Sequence, residues 1–264
     1  MIFRNPYLKK TTTDGDTVAA GQLRPRVSVA MTTHNGIRYL RQQVDSVMMQ
    51  LGPEDELVIS DDGSTDGTID LVMALANDDR RIRWIDGPRQ GLIQNFAHAL
   101  RYCQGDIIFL CDQDDVWLHD KVRRVLAAFA RSRKVLLVQH DARFTDESLR
   151  PGDQTVFEWR RARRGILANL WKNRYHGSSI AIRSSLLRIA LPFPPDLPMH
   201  DQWIGLLADL FGKVEFLDEV LMLYRRHGDS MTDNRPGPLK QRIAWRRTLI
   251  MELVRRCRKI RSER

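Results

Sequence analysis

The sequence predicts an α/β fold, a mainly parallel sheet flanked by helices and followed by an amphipathic helical tail. Three observations carry that expectation. Short apolar, β-branched runs alternate with segments whose apolar residues recur at helical spacing, the pattern of strands joined by right-handed helical crossovers. Three of those runs lead straight into polar turns, and two of the turns are rich in carboxylates. In a parallel sheet all carboxyl ends share one edge, where open α/β sheets bind ligands, so the three turns are expected to meet there.

Val27 to Met31 is the first strand, and Thr32-Thr33-His34-Asn35-Gly36 is its turn. Ile37, Leu40, Val44, Val47 and Leu51 follow at helical spacing until Gly52-Pro53 stops the helix. Glu56 to Ser60 is the second strand; it enters Asp61-Asp62-Gly63-Ser64-Thr65-Asp66-Gly67 and a helix with Ile69, Val72, Met73 and Ala76 directed inward. Arg81 to Ile85 is a third strand, Gly91 to Tyr102 a third helix, Ile107 to Leu110 a fourth strand and Val135 to Gln139 a fifth. Periodicity fades from His140 to Asn173, a stretch that holds the charged run Trp159 to Arg164. Ser178 to Ile182 reads as another strand, followed by a short helix and the proline-rich loop Leu191 to Pro198. Met199-His200-Asp201-Gln202-Trp203 then opens the helix Ile204 to Leu210. Val214 to Leu217 and Val220 to Tyr224 are two short strands that lead to Arg225-Arg226-His227-Gly228. There is no internal repeat.

The stretch Gly105 to Lys121 carries the clearest chemistry. Its apolar run ends abruptly in Asp112, Asp114 and Asp115, and an amphipathic helix resumes from about Asp120. Crowding like charges costs free energy unless a cation is shared, and Mg2+ or Mn2+ takes oxygen ligands and commonly bridges to substrate phosphates. The alternative is a solvated acidic turn, with Asp120 capping the helix that follows. Neither a GxGxxG fingerprint nor a Gly-Lys-Ser/Thr phosphate loop is present, so a diphosphate is expected to be held through metal rather than in a glycine-rich cradle.

Composition sets the outer bounds. With 264 residues and 42% hydrophobic content the chain suits one sizeable α/β domain or a domain with an appendage. No apolar run approaches the roughly 20 residues that span a bilayer, and the opening residues lack the apolar core of a signal peptide, so a cytoplasmic setting is expected. Cys103, Cys111 and Cys257 are odd in number and have no metal-like spacing, which suits reduced, incidental thiols. A net charge of +9 suggests nucleic acid until it is located. Residues 240–264 hold ten basic residues against Glu252 and Glu263, which accounts for +8 of the total. The excess belongs to the tail, and no nucleic-acid partner is expected for the domain with the acidic turns.

Taken in order, VSVAMTTHNG, LVISDDGSTDGT, GLIQNF, GDIIFLCDQDDVWL, MHDQW and YRRHG resemble family 2 glycosyltransferases of the GT-A fold, over about Val27 to His227. The pairing of DQDDVW with HDQW and YRRHG is most similar to bacterial rhamnosyltransferase-type enzymes of O-antigen and related surface-polysaccharide assembly. The resemblance implies a Rossmann-like GT-A domain, a dTDP- or UDP-sugar donor, and a Mg2+ or Mn2+ cofactor. It matches Asp62, with Asp61 beside it, to the acid that binds the nucleobase, and Thr33 and Asn35 to the first nucleotide-contacting turn. Asp112 and Asp114 match the DxD pair, Asp112 toward nucleotide and metal and Asp114 toward the metal. Asp201 matches the general base of an inverting transfer, and His227 a late histidine that contacts metal or diphosphate. Arg89 and Asn95 are further candidates for the nucleotide; Asp115, Trp117, His200 and Trp203 are candidates for the acceptor side or for support behind it. One departure stands out: the residue before Asp201, often Glu in the wider family, is His200 here.

The resulting organisation is a flexible leader over 1–25, a glycosyltransferase domain over 26–235 and a basic helical tail over 236–264. The domain divides into a nucleotide-sugar half (26–139) and an acceptor half (140–235). In the tail, Ile243, Ile250, Val254 and Cys257, with Leu253 and Ile260 beside them, fall at helical spacing among arginines. Such a helix suits an anionic membrane surface, and hence a polyprenyl-linked saccharide acceptor, or else packs on the domain or on another subunit. Two other functions remain open at this stage. A sugar-nucleotide pyrophosphorylase would want a glycine- and lysine-rich first turn, and a non-enzymatic basic module would be indifferent to Asp114.

Overall fold

A computed structural model describes residues 24–162, 165–228 and 238–262. Residues 1–23 of the expected leader, Arg163 and Arg164, residues 229–237 and the last two residues lie outside the described residues. Strands and helices alternate at first as β1 (Val27–Thr33), α1 (Ile37–Met48), β2 (Glu56–Asp61), α2 (Thr68–Asp78), β3 (Ile82–Asp86), α3 (Leu92–Tyr102) and β4 (Ile107–Cys111). After these come β5 (Val116–Trp117), α4 (Lys121–Ala130), β6 (Val135–Thr145), β7 (Pro151–Thr155), α5 (Val156–Arg160), α6 (Ile166–Trp171) and β8 (Ile180–Arg183). The chain continues through α7 (Leu187–Ala190), α8 (His200–Phe211), β9 (Lys213–Arg225) and α9 (Leu239–Ser262).

All nine strands join one sheet in the order β3-β2-β1-β4-β8-β6-β9-β5, with β7 paired to β6. β3, β2, β1 and β4 are parallel neighbours. β8 is antiparallel to both β4 and β6, while β6 and β9 run parallel. The carboxyl ends of β1, β2, β4, β6 and β9 therefore lie on one edge together with the amino end of β8. Alternating residues of the strands feed two cores. Val29, Met31, Ile107 and Phe109 pack with α1, α2 and α4 on one face, and Ala30, Ile108 and Leu110 with α3 and α8 on the other. Buried on both sides, β4 reads as an unbroken apolar run and β1 as one interrupted only by Ser28 up to Met31.

Several expectations change. Met73 is exposed, and Leu75 takes the inward place beside Val72 on α2. Ile37 is likewise exposed at the start of α1. The two late strands are one 13-residue strand, β9, whose polar Asp218 and Glu219 fall where the register with β6 shifts. The quiet region after His140 carries the rest of β6, whose pairing with β9 extends to Thr145 and Arg225. Asp120 stands at the start of α4 in the left-handed region (φ 69°), but its carboxylate pairs with Arg123 rather than capping the helix. In α9 the buried residues are Leu249 and Leu253, while Ile243, Ile250 and Val254 face outward. α9 thus packs on the domain through a different stripe from the one the spacing suggested.

Candidate active site

The three polar turns meet as the parallel order requires, and they are laced together. Thr33 Oγ1 donates to Asp61 Oδ2 at 2.7 Å, and the Asp62 amide donates to the Thr33 carbonyl at 2.9 Å. Asn35, at φ 48°, donates its amide to Ser64 Oγ and accepts from the Thr65 amide. The Gln113 amide makes a two-bond clasp on the backbone of His34, at 2.9 and 3.0 Å. That clasp needs Gly36, because a Cβ there would lie 2.1 Å from Gln113 Oε1. Asp61 is fully buried and accepts from the Gly63 and Ser64 amides and the Ser64 hydroxyl. Asn95 is buried too, bonded to Ser60 and reaching the Thr33 carbonyl. Asp61 and Asn95 therefore shape the edge from within. Asp62 accepts from the Gln90 and Gly91 amides, and Arg89, exposed at φ 57°, sits 3.8 Å from Asp86.

The carboxylates crowd at the end of β4. Burial first, then the neighbouring charges of Asp114 and Asp201, push the Asp112 carboxyl up to about 7. Burial, with the nearby charges of Asp114 and Asp112, raises Asp115 well above the usual range as well, and its Oδ1 accepts from the Arg225 amide. Asp114 Oδ2 and His227 Nε2 stand 2.7 Å apart. Asp201, in the first turn of α8, accepts from Asn173 Nδ2 at 2.9 Å, and its Oδ2 has no hydrogen bond among the described residues. His200 is buried and stacks on Phe96 with ring centroids 4.2 Å apart, and burial lowers its pKa. Among the described residues neither of its ring nitrogens has a hydrogen-bond partner. Trp203 and Trp117 are core residues: Trp203 donates to the Ala190 carbonyl, and Trp117 packs on Phe109. Both are buried in the core behind this edge rather than exposed on it.

Of two basic residues that sequence reasoning passed over, Arg225 holds the acidic turn and Lys121 lies beneath it. Arg225, 3% exposed, donates to the Asp114 carbonyl, Gln42 Oε1 and the Glu147 carbonyl, and lies over the Tyr39 ring. Tyr39 in turn packs against His227 at 4.8 Å. Lys121 is buried beneath the turn, donating to the Ser178 carbonyl at 3.1 Å with its ammonium over Trp117. Burial lowers its pKa to about 7. The signal for Arg225 lay in the YRRHG motif. For Lys121 the signal was a lysine opening a helix two residues after the exposed His119, which by itself looks solvated.

Among the described residues no group of three or more His, Cys, Asp or Glu side chains is placed to hold a metal alone. The donor set nonetheless fits Mg2+ or Mn2+. Asp114 and His227 present an oxygen and a nitrogen side by side, Asp112 adds a repelled carboxylate, and such ions usually complete their shell with substrate phosphates and water.

Residues 28–188 match the model of Glycosyl transferase family 2, and the chain belongs to that family. An uncharacterized glycosyltransferase of Nostoc sp. is 28% identical over 77% of this chain and 65% of its own length. Chondroitin synthase of Pasteurella multocida is 29% identical over 43% of this chain but only 12% of its own. Among solved structures, S. aureus TarS in complex with UDP-GlcNAc superposes with a TM-score of 0.67 at 18% identity, covering 87% of this chain and 66% of that one. The mannosyltransferase of Pyrobaculum calidifontis, with GDP-Man and Mn2+, gives 0.62 at 21% identity over 94% of this chain and 69% of that one. These neighbours identify the fold as GT-A. The chain spans just under two thirds of the Nostoc relative's length and of TarS.

Proposed function

We propose that residues 26–235 transfer a sugar, L-rhamnose by the motif resemblance, from a dTDP- or UDP-sugar to a saccharide or polyprenyl-linked saccharide acceptor with inversion. The product would be a cell-surface polysaccharide of the O-antigen kind. The nucleotide-sugar half is 26–139 and the acceptor half 140–235. One observation carries the reading: Asp201, in the first turn of α8, comes close enough to Asp112 and Asp114 at the end of β4 that its charge adds to burial and to Asp114 in raising the Asp112 carboxyl.

In this reading Thr33, Asn35 and Asp62 border the nucleotide, Asp61 and Asn95 shape that border, and Arg89 reaches the donor from its exposed loop. Asp112, Asp114 and His227 would hold Mg2+ or Mn2+, which when bound neutralises charge on the departing diphosphate. Asp201 Oδ2 takes the proton from the acceptor hydroxyl. The acceptor oxygen forms its bond to the anomeric carbon as the bond from that carbon to the diphosphate oxygen breaks, and the nucleoside diphosphate leaves with the electron pair. Asn173 fixes the Asp201 carboxylate so that Oδ2 is the oxygen presented. Asp115, buried, keeps the turn in place through the Arg225 amide; His200 and Trp203 seat α8, and Trp117 backs the turn from the core. No helix among the described residues is long and apolar enough to cross a membrane. A cytoplasmic enzyme resting on the inner face of the cell membrane through residues 240–264 suits the lipid-linked acceptor.

The test is thermal unfolding of wild type and Asp114→Ala with dTDP, UDP and GDP, each with and without Mn2+ or Mg2+. A ligand that binds only the folded state raises the midpoint. Metal-dependent stabilisation by dTDP or UDP, lost in the variant, is expected and names the donor class for sugar assays. No response of the wild type to any nucleotide would overturn the reading.

A further inference from the structure

Seven of the twelve large hydrophobic residues exposed among the described residues lie on α6 and α9: Leu167, Trp171, Ile243, Trp245, Ile250, Met251 and Val254. This concentration is not a by-product of a loosely attached helix. α9 is docked on the domain by Leu249 and Leu253, which are buried in the core cluster that also holds Trp203 and Ala190. Arg256 donates to the carbonyls of Ile189, Leu191 and Pro192 and lies over the Trp203 ring. Arg246 donates to the Trp171 carbonyl and stacks over the Trp171 ring at 4.5 Å, so the exposed residues of α6 adjoin α9.

With about 100° per residue, Ile243, Ile250, Val254 and Met251 share one sector of α9, and Lys240, Arg247, Arg258 and Arg261 fall in the same sector. Those four cations are exposed and carry no ion pair among the described residues. α6 also touches the catalytic edge. Its Asn169 carbonyl accepts from Gln202 at 2.6 Å, and Asn173, two residues beyond Trp171, holds Asp201.

We infer that the outer faces of α6 and α9 form one composite surface that seats the protein on an anionic lipid bilayer, with the Asp201 side of the site next to the membrane plane. This rests on the proposed lipid-linked acceptor and gives it a direction of approach. Charge decides the occupant. A second copy of the same face would set these cations against one another, whereas anionic headgroups neutralise them and let arginine stems lie along apolar neighbours. Nucleic acid would use the cations but leave Leu167, at 83% exposure, and Trp171, at 69%, without an apolar partner. A bilayer takes both kinds of side chain.

The experiment is co-sedimentation of the full chain with vesicles of phosphatidylcholine alone or mixed with phosphatidylglycerol. It compares wild type, the double variant Leu167→Ser/Trp171→Ser and the double variant Ile243→Ser/Ile250→Ser. Each protein is also taken through the nucleotide thermal-shift assay, which shows that fold and donor site persist. Binding to the mixed vesicles only, weakened at least about tenfold by either double variant with the nucleotide response unchanged, is expected. Wild-type binding by both variants would overturn the inference, as would equal binding to neutral vesicles, a dimer lost in the variants, or duplex DNA that displaces the vesicles completely. Loss of the nucleotide response in the wild type would sink the transferase reading, a separate result from loss of vesicle binding.

Discussion

Replacing Arg225 with methionine should loosen the acidic turn more than any other single change at this sheet edge. The guanidinium serves three acceptors on three separate segments, the Asp114 carbonyl, Gln42 Oε1 and the Glu147 carbonyl, and it is 3% exposed. A hydrogen bond to a charged group contributes about 1.5–3 kcal/mol, and methionine fills the space without a donor, so water replaces the lost partners poorly. Discounting for non-additivity gives about 4 kcal/mol, or roughly 8–16 °C in the unfolding midpoint at this chain length. Arg124→Met is the matched control: its pair with Glu219 is exposed on both sides and is worth less than about 1 kcal/mol. Circular dichroism melts of the two variants against wild type make the comparison. An Arg225→Met midpoint within about 2 °C of the control's would show that the turn is not held by this residue.

Other outcomes follow from the same geometry. The Asp112 carboxyl, raised to about 7, keeps a proton in the folded state between roughly pH 4 and 7 that the unfolded chain has released, so its contribution to stability falls as pH rises through that window. In metal-free buffer the midpoint of wild type minus that of Asp112→Asn should therefore become more negative from pH 5 to pH 8, and a flat difference would contradict the crowding. Gly205→Ala would put a Cβ 2.2 Å from the buried Tyr175 ring, so a loss of about 1–3 kcal/mol is expected in denaturant titrations. Asn173→Ala frees the Asp201 carboxylate to rotate; once a donor is known, kcat should drop roughly tenfold or more with the donor KM unchanged.

The parallel half of the fold was legible because its strands are buried on both faces and end in turns that differ sharply from them. The βα alternation up to Ile107, and the meeting of the three turns, followed from that pattern alone. What sequence could not show came from tertiary packing. β5 is two residues long and exists only because it pairs with β9 across more than a hundred positions. The outward turn of Ile243, Ile250 and Val254 on α9 was hidden because Leu249 and Leu253 offer an equally regular helical stripe, and the domain surface chooses between them. At the site, residue types pointed to the acids but not to their supports. Lys121 and Arg225 resemble ordinary surface cations until burial turns Arg225 into the fastening of the acidic turn and sets the Lys121 ammonium beneath it.

β4 ends at Cys111, yet the strand that covers its free side, β8, begins only at Ile180. During synthesis the strands β3-β2-β1-β4 therefore leave the ribosome with the five-residue apolar edge of β4 unprotected, and the sheet closes only once β8 has followed. An exposed edge of this kind recruits other chains. Fragments ending near residue 139 would self-associate rather than fold as a compact unit, and recombination between relatives should be tolerated after Arg183 far better than before it.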